Sequence, residues 1–181
     1  MNKTLVVYHA NCVDGFASAA IAWSKLGGER GGNIEYLPYQ YGDKVNPEYY
    51  RDKDVYLLDV NLNENLSPEK VLLIATICRK FVWLDHHKGS VDNWLGSEME
   101  KSFETNFKDT LPKKYIRITP HESGAMIAWK YFHKLEKIPH WIKLVDDYDR
   151  WVFKFPETRY FNSGVRAKEK WEFKWFMGLL S

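Results

Sequence analysis

Residues 83–89 read Trp-Leu-Asp-His-His-Lys-Gly, and Asp85-His86-His87 puts a carboxylate and two imidazoles side by side where an apolar run stops. Two other apolar runs end in the same way. Residues 4–8 (TLVVY) lead into His9, with Asp14 close behind, and residues 54–60 (DVYLLDV) carry Asp59 near their end. Mixed carboxylate and imidazole donors suit Mn2+, Fe2+ or Zn2+. A carboxylate shared by two ions about 3.5–4 Å apart is the arrangement that activates water and stabilises the departing oxygen of a phosphate ester. An imidazole left free beside such ions can steady the phosphate or protonate the leaving group. Asp85, His86 and His87 therefore read as one wall of a polynuclear metal site.

These groups can meet only if the chain brings three strand ends together. Short, β-branched apolar runs predict strands at 4–8, 34–39, 54–60, 80–85 and 115–118. Pro38 pushes the second of them toward a sheet edge or a strand end. Helices are expected over 14–26, stopped by Gly27-Gly28, and over 67–78, where Ser67 is a good N-cap and Pro68 suits the first turn. Further helices are expected at 122–136, 140–151 and around 97–107 in a polar stretch spanning 90–114. Strand and helix patterns alternate, which predicts an α/β fold with a mainly parallel sheet flanked by helices. In such sheets ligands gather outside the carboxyl ends of the strands, and His9, Asp59 and Asp85-His86-His87 all fall there. A linker is expected at about 154–166. In the tail, Trp171 and Trp175 are four apart and suit one helical face.

Composition narrows the class. A chain of 181 residues, 45% hydrophobic, is enough for one well-cored domain, or one domain plus a small appendage. A net charge of +2 is too mild for a nucleic-acid coat protein or a polybasic membrane binder. No apolar stretch approaches the ~20 residues of a membrane span, and no signal peptide is read at the N-terminus. Two cysteines, Cys12 and Cys78, give no disulfide framework. A reducing, cytoplasmic setting is expected. The aromatic content of 16% supplies bulk for core and surface, and rings on which bases can stack.

The chain resembles the DHH phosphoesterase superfamily, named for the Asp-His-His that stands here at 85–87, and looks most like its oligoribonuclease, or nanoRNase, branch. The motifs are YHANCVDGFASA (8–19), LLDV (57–60), LDHHKG (84–89) and LVDDYDRW (144–151), with a small-residue helix start in ESGAMIAWKYF (122–132). They occur in the family's order across residues 3–152. The resemblance implies a catalytic domain over 1–152, followed by a helical tail over 153–181. It implies that His9 ligates one ion, Asp14 and Asp149 the other, and that Asp59 bridges both. His86 is then a ligand, with Asp85 orienting it, and His87 faces the scissile phosphate. Asp149 is preferred over Asp146 and Asp147 because Tyr148 and Trp151 flank it as in the family; the other two read as solvated acids.

Two departures stand out. Cys12 or Asn11 stands where the family carries an aspartate, and Cys12 reads either as a thiolate ligand favouring a softer metal or as a buried small apolar group. The family's second, substrate-binding domain with its Gly-Gly-Gly-His type loop has no counterpart in these 181 residues.

The resemblance implies two divalent ions, Mn2+ first, with Fe2+, Zn2+ or Mg2+ as alternatives. The implied activity is metal-dependent hydrolysis of small phosphodiesters such as short oligonucleotides or dinucleotides. Two rivals remain open: a phosphomonoesterase or pyrophosphatase on the same scaffold, and a nucleotide-binding protein without turnover. Lys88 and Arg150 are candidate phosphate-holding cations, weighed against solvated surface charge. Tyr39 and Tyr41 are candidate base-stacking rings, weighed against an ordinary loop. A nucleotide or oligonucleotide partner is expected, no membrane partner, and assembly into a homo-oligomer is left open.

Overall fold

The computed structural model describes residues 3–30, 32–110 and 113–179. Gly31, between the helix expected over 14–26 and the strand expected at 34–39, Leu111 and Pro112 of the expected polar stretch, and the last two residues of the expected tail lie outside the described residues. Five strands, β1 (Thr4–His9), β2 (Ile34–Tyr39), β3 (Asp54–Leu58), β4 (Lys80–Asp85) and β5 (Lys114–Ile118), form one all-parallel sheet ordered β2-β1-β3-β4-β5. The α-helices among the described residues are α1 (Val13–Leu26), α2 (Pro68–Ile77), α3 (Lys88–Trp94), α4 (Glu98–Phe107), α5 (Gly124–His133), α6 (His140–Asp149), α7 (Thr158–Ala167) and α8 (Phe173–Gly178). The protein is an α/β fold.

Side chains alternate across each strand, so the sheet has two apolar faces. Leu5, Val7, Val55, Leu57, Phe81 and Trp83 face one side, where Val71 and Ile74 of α2, Trp94 of α3 and Phe103 of α4 cover them. Val6, Tyr56, Leu58, Val82 and Leu84 face the other, under α1 and α5. Burial on both faces is why the central strands are apolar without alternation in sequence. Pro38 lies in β2, an edge strand, where its missing N–H costs no ladder bond.

After β2 the chain crosses back to the far side of β1. Connections therefore diverge between β1 and β3, and the crevice at their carboxyl ends is left open, as at any such topological switch point. His9 ends β1, Asp59 comes directly after β3 and His86 directly after β4.

The C-terminal part differs from expectation. Residues 154–166, read as a linker, hold α7, which packs on α6. Its buried face is Thr158, Asn162 and Val165, one position in each turn. Two of these are polar, so no apolar period announced the helix. Trp171 precedes α8 rather than sharing a helical face with Trp175, and the fully buried anchor of the tail is Phe176, packed in the same core as α1. Helix α3 has no counterpart among the expected elements; it starts directly after His87 and buries Trp94 edge-on against Trp83. Among the described residues no helix is long and apolar enough to cross a membrane.

Candidate metal centre

His86 sits at the hub of the crevice. Its Nε2 lies 3.1 Å from Asp59 Oδ1, 3.3 Å from Asp149 Oδ2 and 3.5 Å from Asp14 Oδ2. On the other side of Asp59, His9 Nδ1 is 3.5 Å from Oδ2, and His87 Nδ1 is 3.7 Å from Oδ1. Two donor groups result: His9, Asp59 and His87, and Asp14, Asp59 and His86, each with its ligating atoms within 4.8 Å of one another. Asp59 belongs to both.

Local structure explains how Asp59 comes to stand there. β3 stops at Leu58, and Asp59 takes a left-handed backbone with φ 59, its amide held by Leu84 O at 2.8 Å. That conformation is unfavourable for a side-chain-bearing residue and turns the carboxylate back over the crevice. Asp59 is 1% exposed, and neither of its oxygens has a hydrogen-bond partner. His9 Nδ1 is also buried without one. The close approaches are thus not hydrogen bonds in direction; carboxylate and imidazole atoms converge on shared points. A buried carboxylate with unused lone pairs is costly, and a divalent cation bound by hard and borderline donors resolves it. The residues fit the metal ions that the family resemblance implies.

Asp14 is placed by two helices. It lies in the first turn of α1, and its carboxylate accepts from the Gly124 amide at 2.6 Å and the Ala125 amide at 2.9 Å at the start of α5. The positive end of α5 thereby holds the Asp14 carboxylate in place. Two glycines allow the approach. A Cβ on Gly15 would sit 2.2 Å from His9 O, and one on Gly124 would sit 2.7 Å from Asp59 Cβ. Sequence reasoning placed the 122–136 helix but not the service its N-terminus performs.

Asp85 corrects the expectation. It is fully buried, and its Oδ1 pairs with His87 Nδ1 at 2.8 Å, not with His86. The strand pleat turns consecutive side chains apart, so Asp85 meets the residue two positions on. Of the three aspartates near the end of α6, Asp149 is the one against His86. Asp146 accepts from the Ser123 amide and pairs with Arg150 at 3.3 Å. Asp147 is 3% exposed rather than solvated, and accepts from the Lys154 and Phe155 amides and from Thr158 Oγ1. It pins the turn between α6 and α7.

Arg150 is tied down by Asp146 and His121 O, and Lys88 pairs with Asp92 on its own helix. Tyr39 is buried with its hydroxyl paired to Asn63, so it cannot stack a base. Tyr41 is 54% exposed beside His9, and its hydroxyl accepts from Asn61. Cys12 is the N-cap residue of α1 and joins neither donor group. Burial, then the charges of Asp59 and Asp14, push its thiol far above the usual range, so without a cation it is a neutral thiol.

A cation entering these groups would have to displace protons. Burial tends to lower His86, but Asp59, Asp14 and Asp149 outweigh it and push the imidazole up to about 10. Burial, then Asp59 and Asp149, raise Asp14 well above the usual carboxylate range. Burial opposes ionisation of Asp59 too, yet His86, His9 and His87 hold it below that range. A raised group stabilises the fold below its unfolded value and loses that contribution as pH climbs through its folded value. The metal-free protein is therefore expected to lose stability from about pH 6.5 upward to about 10. Asp59 works the other way, only in acid. Because cations replace these protons, the Mn2+-induced rise in Tm should grow with pH. At about a hundred times Kd the gain is about 2.7 kcal/mol, or roughly 5–10 °C for a chain of this size. Thermal melts in EDTA and in Mn2+, at mildly acidic and mildly alkaline pH, measure it; identical Tm values would remove the cation from this site.

No family model matches the chain, and no solved structure matches it. It is 30% identical over 167 residues to a protein of Acanthamoeba polyphaga mimivirus described as uncharacterized protein R106. That alignment covers 87% of this chain and 35% of the viral protein, so the chain spans about a third of the length of the curated relative it matches.

Proposed function

We propose that the chain is a divalent-metal-dependent phosphoesterase of the DHH type, hydrolysing small phosphodiesters such as short oligonucleotides or dinucleotides. The observation that carries this reading is Asp59: a buried carboxylate with both oxygens unpartnered, shared by two donor groups. Two divalent ions, Mn2+ first, would supply Lewis acidity toward the phosphoryl oxygens and an acidified water.

The chain's own residues do the rest. His9, Asp14, Asp59, His86 and Asp149 bind and space the cations. The amides at the start of α5 keep Asp14 oriented. His87 falls within the first donor group, but its Nδ1 is bonded to Asp85, which leaves His9 and Asp59 as that group's ligands and His87 Nε2 for the phosphate or the leaving oxygen. Burial tends to lower His87, but Asp85 and Asp59 outweigh it and raise the imidazole to about 9. Cations bound beside it would oppose that rise, toward the range where a general acid works best. The two free cysteines suit a reducing compartment, and we place the protein in the cytoplasm.

Hydrolysis of a dinucleotide in Mn2+, followed by chromatography, tests the reading. A monophosphate product is expected; free phosphate would point to a phosphomonoesterase or pyrophosphatase. His87→Ala should lower turnover about 10²–10⁴-fold while bound metal falls far less. A folded wild-type sample that turns over nothing with any divalent ion would reject the assignment.

A further inference from the structure

A cavity of about 560 Å³ lies between the first turn of α1 and residues 166–171 at the end of α7 and beyond it. Arg166, Lys168 and Lys170 line it, against a single acid, Glu169. Tyr8, Phe16 and Trp171 supply partly exposed rings to the same walls. Trp171 is held rigid: its indole N–H donates to Val165 O at 2.8 Å, and its ring meets Phe16 edge-on at 5.5 Å.

The cations are not spent on ion pairs. Among the described residues neither Arg166 nor Lys168 has a carboxylate within pairing distance, and Lys170 has only the exposed Glu172 at 3.8 Å. Instead Lys168 lies over the Trp175 ring at 4.9 Å and Arg166 over the Tyr148 ring at 5.9 Å. Two of its walls are joined along the chain to residues of the candidate metal centre. Ala10 and Asn11 line the cavity directly after His9, and Tyr148, beneath Arg166, directly precedes Asp149.

We infer that this groove holds a nucleotide next to the scissile phosphate. Arg166, Lys168 and Lys170 take its backbone phosphate, and Trp171, Phe16 and Tyr8 take its base. The inference rests on the phosphoesterase reading for what sits at Asp59, but its own argument is spatial. A cavity of this size accommodates one nucleotide unit. The phosphate held there is additional to the one at the metal centre. The ligand therefore carries at least two phosphates along one strand, which selects a single-stranded oligonucleotide over a mononucleotide. Cations beside ring faces, with no fixed hydrogen-bond readers, give binding that is tolerant of base sequence and sensitive to salt.

The test is fluorescence anisotropy of a labelled RNA pentanucleotide, in Ca2+ and in EDTA, with wild type and with Lys168→Gln/Lys170→Gln. Both lysines are exposed, so the fold should survive, and an unchanged thermal melt verifies it. The double variant should bind at least tenfold more weakly at low salt. Its slope of log affinity against log salt should be shallower by up to about 0.7, the contribution of the one phosphate the groove holds. Lys101→Gln, on α4 and outside the groove, should match wild type. Equal affinity and equal slope for wild type and double variant would overturn the groove, and so would a mononucleotide that binds as tightly as the pentanucleotide. Binding is read without turnover, so the two readings fail separately. Groove-dependent binding with no hydrolysis sinks the phosphoesterase reading alone; hydrolysis with groove-independent binding sinks this one alone.

Discussion

Asp59→Asn is expected to abolish hydrolysis, by about 10³-fold or more, while leaving a folded protein. The residue is common to both donor groups, so neutralising it weakens both cation sites at once. Loss of a partner one shell out from a metal costs about 10–100-fold in affinity or activity, and a bridging ligand must cost more. Metal analysis should find less than half the wild-type content. The stability effect should be smaller. In the metal-free protein Asp59 is a buried anion that His86, His9 and His87 together hold below the usual carboxylate range, so its charge favours the fold at neutral pH. An amide of the same shape loses that attraction, though asparagine tolerates the left-handed backbone at φ 59. The variant should melt in EDTA below the wild-type temperature, and gain nothing from Mn2+. Wild-type turnover by this variant, or an unaltered response to Mn2+, would dispose of the bridging role.

Gly124→Ala should cost about 10²-fold in kcat without touching a ligand. The added Cβ would fall 2.7 Å from Asp59 Cβ and 2.8 Å from Asp59 Oδ1. Asp59 cannot retreat, because its amide is fixed to Leu84 O and its backbone is already in a rare conformation. α5 must move instead, which lengthens the Gly124 and Ala125 amide bonds to Asp14. A misplacement of about 1 Å is worth about 10²-fold in rate. Overpacking costs about 1–3 kcal/mol, partly offset by the gain of up to about 1 kcal/mol for alanine over glycine in a helix. Tm should therefore fall by only a few degrees. Full activity in Gly124→Ala would mean that α5 does not position the acids.

Chemistry-bearing residues at strand ends were legible because their signals are local. Apolar runs at 4–8, 54–60 and 80–85 identify strands, and the residues at the end of each run must appear at the sheet's carboxyl edge if the strands are parallel. His9, Asp59 and His86 could be assigned to one edge on that ground alone. Ser67 and Pro68 start α2 as their chemistry requires, with the Ser67 hydroxyl accepting from the Lys70 amide.

Other features depend on contacts between residues far apart in the chain, and no local pattern encodes them. Asp147 reads as a solvated acid until three amide and hydroxyl donors from residues 154–158 surround it. α7 reads as a linker because its inward face is partly polar. Asp85 serves His87 rather than His86 because the pleat decides which neighbour it meets. The sequence by itself therefore determined the parallel α/β layering and the set of acids and imidazoles at its edge, because periodicity and strand ends are properties of neighbouring residues. Tertiary structure alone decided which of them share a point in space, and which glycine, helix end and cationic tail stand around it, because those distances are set by packing across the sheet.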